Sequence, residues 1–228
     1  MAEKGTGSKR ISRREQQAQQ QRANRIRLLR TGGIVVLAVV VLAVVGFYRT
    51  STAPAVEVPE EIMAANVDGP ADAPVSIVEF GDFSCPSCRA WHNSAIKRAP
   101  QNEFGEQISF TFRHFPVITA RSPDAADASQ CAAEQGRFWE FHDFIYEQTP
   151  QGALSDQDLR SYAAAVGVDV AKFDACYDSN QYREYVNHDR QAAFSAGAAG
   201  TPTFFINGQQ VSFSFEAMAA VIDHELNS

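Results

Sequence analysis

Beyond its first 31 residues this chain has no surplus of positive charge, no visible repeat and no second close pair of cysteine or histidine ligands. The first absence argues against nucleic acid as a partner. Nine basic and two acidic residues precede Gly32, which leaves 11 basic and 25 acidic residues after it, a formal −14 within a total of −7. Phosphate binding needs a basic face, and this body is acidic. The missing ligand pair argues against structural zinc. Cys85 and Cys88 stand at C-x-x-C spacing, but Cys131 and Cys176 lie 45 residues apart, and His114, His142, His188 and His224 show no ligand spacing. No metal and no cofactor are expected. Apolar residues are not scarce: 45% hydrophobic and 11% aromatic content places the chain among globular proteins.

The segment from Gly32 to Tyr48 also lacks something, namely charge. As a helix its 17 residues reach roughly 25 Å, and Leu28 and Leu29 can extend it while Arg27 and Arg30 snorkel to the headgroups. An apolar run of this kind predicts one N-terminal transmembrane helix over 32–48. The basic tail 1–31 precedes it, so the positive-inside bias predicts a cytoplasmic N-terminus and an extracytoplasmic body. A cleaved signal peptide, with Ala53-Pro54-Ala55 imitating its cleavage site, is the competing reading, although the run exceeds the usual h-region. Under either reading the body is exported. Residues 49–66, with Pro54 and Pro59, read as a linker.

The body, 67–228, opens with a β-branched strand at 75–80, then the C-x-x-C loop, a helix over 89–98 and a strand at 108–113. A helical stretch follows at 123–148, broken near Gly136. Helices are predicted over 155–166 (Ser155 and Asp158 placed to cap it), 169–177 and 181–196. Strands at 201–206 and 211–213 flank an Asn207-Gly208 hairpin turn, and an amphipathic helix closes at 215–226. The order predicts an α/β fold: a mixed central sheet flanked by helices, with an all-helical insertion at about 118–198.

Cys85 falls where a loop gives way to a helix, with Pro86 in the first turn, where its missing N–H costs nothing. The unpaired N–H groups and the positive end of the helix favour a thiolate there. Cys85 is therefore expected to be a solvent-facing nucleophile of lowered pKa, and Cys88, one turn on, a more buried resolving thiol. His92, one turn after Cys88, is placed where it can influence the site, but a residue so placed more often faces solvent. The aromatic group Phe138, Trp139, Phe141, Phe144 and Tyr146 reads as core. In an oxidising compartment Cys131 and Cys176 read as a structural disulfide. Two free buried thiols and a second redox pair are the alternatives.

The segments EFGDFSCPSC (79–88), RHFP (113–116), CAAEQGRFWEFHD (131–143) and TPTFFING (201–208) together resemble the DsbA-like branch of the thioredoxin superfamily, in particular its bacterial group with an inserted helical domain. The resemblance implies a thioredoxin-like fold and a redox-active Cys85–Cys88 disulfide. It also implies a cis peptide before Pro202, with the Thr201-Pro202 loop offering backbone to an extended substrate. Glu79 would be the buried acid that carries protons to and from Cys88. Oxidant members of the branch often have histidine between the cysteines, and here Pro86 and Ser87 stand instead.

The expected activity is that of an extracytoplasmic thiol:disulfide oxidase, anchored in a bacterial cell membrane, that donates its Cys85–Cys88 disulfide to reduced exported proteins. The expected partner for reoxidation is a membrane quinone-linked oxidoreductase of the DsbB-like or VKOR-like kind. An anchored reductase or isomerase is the first alternative, and a tethered, non-catalytic chaperone or binding domain the second.

Overall fold

In the computed structural model of the chain, residues 64–94, 99–148, 150, 152 and 154–228 are described. The basic tail, the 32–48 apolar run and most of the linker lie outside them. Among the described residues no helix is long and apolar enough to cross a membrane.

The strands are β1 (Val67–Asp68), β2 (Val75–Gly81), β3 (Ile108–His114), β4 (Thr203–Ile206) and β5 (Gln209–Val211). They form one mixed sheet in the order β1-β3-β2-β4-β5. Only β2 and β3 run parallel, in register from Val75 opposite Ile108 to Gly81 opposite His114. Along β2 side chains alternate in direction. Val75 and Ile77 pack with Trp91, Phe104, Met218 and Ile222, whereas Phe80 packs with Phe115, Ala193 and Phe205. Glu79 shares the first of these two faces and is fully buried.

Helix α1 (Pro86–His92) follows the C-x-x-C loop, and α2 (Ala99–Phe104) precedes β3. The helix expected over 89–98 is thus shorter at its end: Asn93 caps it, donating its N–H to the Arg89 carbonyl. Five helices lie between β3 and β4: α3 (Ser122–Ala133), α4 (Phe138–Gln148), α5 (Asp156–Ala165), α6 (Val170–Ser179) and α7 (Arg183–Ser195). Gly136, at φ +68°, takes the left-handed conformation that separates α3 from α4. Ser155 and Asp158 form a reciprocal capping box at the start of α5. Helix α8 (Phe215–Leu226) returns to the sheet.

The insertion has its own core. Phe138, Phe141, Ile145 and Tyr146 on α4 cluster with Leu159, Tyr162, Phe173 and Tyr177, and the cluster runs on to Phe83, Cys85, Cys88 and Phe112. Trp139 and Phe144 only border it. A disulfide between Cys131 on α3 and Cys176 on α6, with Cα atoms 5.8 Å apart, ties the insertion together. Arg89 docks the insertion onto α1. Its guanidinium donates to the carbonyls of Tyr146 (2.6 Å) and Ile145 (2.9 Å), in the last turn of α4, where helix carbonyls lack partners of their own. Arg89→Met should therefore lower stability by about 1.5–3 kcal/mol, the range for a hydrogen bond to a charged group. Urea denaturation measures this, and an unchanged midpoint would show that the docking is carried by apolar packing alone.

Candidate active site

Three stretches distant in the chain meet at Cys85: its own loop, the residues after β3, and the turn before β4. Asp82 organises the first two. One carboxylate oxygen accepts from the Ser84 N–H (2.8 Å), and the other from the N–H groups of Val117 (2.8 Å) and Ile118 (2.9 Å). Hydroxyls of Ser84, Thr119 and Ser122 add a second link, with Ser84 2.9 Å from Thr119 and 3.0 Å from Ser122. The active-site loop is thereby fastened to the start of the insertion. Asp82 has no signature in sequence beyond lying three residues before Cys85.

Cys85 is the N-cap of α1, with extended backbone and Pro86 in the first turn. Its sulfur accepts from the Cys88 N–H (3.4 Å) and can donate to the Thr201 carbonyl (3.2 Å). Both cysteines are free thiols in this structure. The hydrogen bond from the Cys88 thiol, helped by Thr201 and the N–H groups of Cys88 and Ser87, lowers the Cys85 pKa from 9.0 to about 6, against the opposing effect of burial. Burial pushes Cys88 the other way, well above 9.0, and its hydrogen bond to Cys85 and the charge of Glu79 add to that rise. One thiol is thus poised as a thiolate and its neighbour kept protonated.

The solvent-facing placement expected for Cys85 needs correction. The residue is only 3% exposed, because the Thr201 carbonyl occupies the space beside its sulfur. Pro86 and Ser87, by contrast, are exposed. The Thr201–Pro202 peptide is cis. A shallow apolar hollow adjoins the C-x-x-C segment, lined by Ser87, Ala90, Trp91, Ser94 and Phe213. Val117 and Ile118, held to the cysteine loop through Asp82, are exposed.

A second correction concerns His92. It is buried, and its Nε2 lies 3.0 Å from the Glu79 carboxylate. The signal was present in the sequence: residues four apart share a helix face, so a buried Cys88 implies a buried His92. Tyr146 was read as core, yet its hydroxyl is buried without a partner, and its pKa is raised by burial, then by the charges of Cys88 and Glu79.

The titration of Cys85 gives a direct test. Its folded-state value lies below its ordinary one, so ionisation stabilises the reduced protein at alkaline pH, and that contribution is lost as pH falls through about 6. Alkylation of the reduced chain by iodoacetamide should rise about tenfold per pH unit below that point and level off near neutrality. A rate that climbs only through about pH 8.5 would mean an ordinary thiol.

Comparison with known proteins agrees with this geometry. The Thioredoxin_4 family, described as thioredoxin, matches residues 64–224. The fold is similar to that of BdbD from Bacillus subtilis, solved in its oxidised form, at 25% identity and a TM-score of 0.66, covering 72% of this chain and 93% of that one. It is also similar to the thiol-disulfide exchange protein alpha-DsbA2 from Wolbachia pipientis, at 20% identity and a TM-score of 0.61, covering 72% and 90%. In sequence, the chain is 37% identical over 170 residues to a Na(+)/H(+) antiporter NhaA of Herminiimonas arsenicoxydans, covering 74% of this chain and 27% of that protein. It spans about a quarter of the length of the curated relatives it matches. With its mixed sheet, its helical insertion and the first cysteine of a C-x-x-C pair capping α1, the chain belongs to the Thioredoxin_4 family, described as thioredoxin, and its fold is like that of DsbA proteins.

Proposed function

We propose that the protein is an extracytoplasmic thiol:disulfide oxidase held at a bacterial cell membrane, with Cys85 and Cys88 as its redox pair. The observation that carries this reading is the placement of Cys85 as the N-cap of α1, its sulfur accepting from the Cys88 N–H, an arrangement that stabilises its thiolate. Stabilising the thiolate favours the dithiol form over the disulfide, which makes the disulfide a stronger oxidant. The reaction starts from the Cys85–Cys88 disulfide. A substrate thiolate attacks the Cys85 sulfur, forming a mixed disulfide and releasing Cys88 as a thiol. A second substrate thiol then displaces Cys85, so the substrate gains a disulfide and the enzyme keeps two electrons and two protons. The pair is reoxidised by passing these to a membrane quinone-linked oxidoreductase of the DsbB-like or VKOR-like kind.

Two observations favour an exported setting. The Cys131–Cys176 disulfide belongs to oxidising compartments. The uncharged run 32–48, after a basic tail, suits a single-pass anchor with the catalytic body outside. Reduced exported proteins are the proposed substrates, received at Thr201-Pro202 as an added strand.

The reduction potential tests the direction. The full chain, held in detergent, is equilibrated in glutathione buffers and its free thiols are trapped with an alkylating mass tag. A value of about −120 to −180 mV supports disulfide donation, and one near −270 mV makes the protein a reductase.

A further inference from the structure

The resolving thiol poses a problem of proton traffic. Cys88 is fully buried, and it must lose a proton whenever it attacks a mixed disulfide and regain one whenever it is released. Glu79 is near enough for its charge to act on Cys88, but it is itself sealed in the central strand of the sheet. A carboxylate that took the proton there would have nowhere to pass it without a further partner.

The structure supplies one. Glu79 Oε2 meets His92 Nε2 at 3.0 Å, and neither side chain is more than 1% exposed. His92 Nδ1 is buried and has no hydrogen-bond partner. The His92 ring stacks on Tyr146 at 4.5 Å and meets the His142 ring edge-on at 4.4 Å. His142, fully buried, has its Nδ1 2.8 Å from the Asp143 carboxylate, and that carboxylate is 34% exposed. One donor atom from each of His92, His142 and Asp143 lies within 4.8 Å of the other two. Around this file also lie Tyr146, Cys85, Asp82, the Arg89 guanidinium on the Tyr146 carbonyl, and His114 against Phe112. Of these, His114 turns away to Gln130, with Nε2 2.7 Å from the Gln130 amide.

We propose that Glu79, His92, His142 and Asp143 form a proton path that joins Cys88 to solvent. The proposal rests on Cys85–Cys88 being the redox pair. An imidazole suits such a path because it takes a proton on one nitrogen while giving one up from the other. When the pair is oxidised, Cys88 attacks the Cys85 sulfur of a mixed disulfide, the Cys85–Cys88 bond forms, and the bound thiol leaves as a thiolate. The proton of Cys88 passes to Glu79, on to His92 and His142, and out at Asp143. Reduction of the pair runs the same path inward. His92 present only for packing would carry a cost here, since its buried Nδ1 is unpaired and phenylalanine would fill the same space without it.

The test separates the two thiols. The reduced full chain, in detergent, is mixed rapidly with an aromatic disulfide that releases a coloured thiolate. The first release, bimolecular, reports Cys85; the second, unimolecular, reports Cys88. In His92→Gln and His142→Phe the first phase should match the wild type. The second should slow at neutral pH by at least about tenfold, the lower part of what positioned proton transfer contributes, with a changed pH profile and solvent deuterium effect. Asp143→Asn, at the solvent end, should show the same pattern to a smaller degree and does not depend on repacking the core. A second phase unchanged in rate, pH profile and isotope effect across the three variants overturns the path, whatever happens to their melting temperatures. No second phase in the wild type would instead remove the redox reading on which the path rests.

Discussion

Cys85→Ser should abolish dithiol oxidation altogether, whereas Cys88→Ser, which has no disulfide of its own to donate, should exchange once with a disulfide supplied to it and stop at the mixed disulfide. A hydroxyl cannot form a disulfide, so no partial activity is expected from the first variant. In the second, the Cys85 sulfur keeps its place at the N-cap of α1, with the backbone N–H at position 88 and the Thr201 carbonyl beside it. It loses the resolving thiol. It also loses the hydrogen bond that contributes most to the lowered Cys85 pKa, so its first exchange should be slower than in the wild type near neutrality. With a disulfide-bonded test substrate, mixed disulfides should accumulate in Cys88→Ser and be absent from Cys85→Ser, which non-reducing gels and mass tagging show directly. Full oxidation of a reduced test protein by Cys85→Ser would mean that Cys85–Cys88 is not the redox pair.

The largest effect on stability is expected from Cys131. The bridge to Cys176 spans 45 residues, and on the chain-entropy account a loop of that size stabilises by about 4 kcal/mol. For a body of this size that corresponds to a loss of roughly 8–16 °C in melting temperature. Activity should survive at permissive temperature, because both sulfurs are buried within the insertion while the reacting sulfur caps α1. The double variant Cys131→Ala, Cys176→Ala removes the risk of a stray thiol attacking Cys85. Loss of turnover in the folded double variant, equal to that of Cys85→Ser, would identify the bridge as a second redox couple.

Elements with strong local signals were legible in the sequence. The β-branched run became β2, the serine cap started α5, and Gly136 separated two helices at the place its conformational freedom marked. The C-terminal hairpin was legible in kind but shifted by two residues. The tight Asn207-Gly208 turn sets Ile206 opposite Gln209, so the last strand is Gln209–Val211 and Phe213 falls outside it. Strand β1, of two residues, carries no pattern of its own and exists through pairing with Phe110 and Thr111. At the site, Cys85 and Cys88 were legible because their spacing and a following proline encode a helix start. Asp82, Arg89 and His142 were not, since each acts on a backbone or ring that only tertiary packing brings near. The face that Glu79 takes on β2 could not be read from alternation, which gives a period without an origin. The tail, the apolar run 32–48 and the insertion's relation to a substrate were readable only as composition and resemblance.

The pairing of β2 with β4 joins Ile77 to Ile206, across the whole insertion, and contacts so distant in sequence close late in folding. Thr201, whose carbonyl faces the Cys85 sulfur, sits at the entrance to that last-arriving strand. A chain made from its N-terminus would therefore expose Cys85 and Cys88 long before the residue that completes their environment. Until β4 docks, the nascent protein holds two unremarkable thiols, and the site becomes reactive only once the domain that must control it is whole.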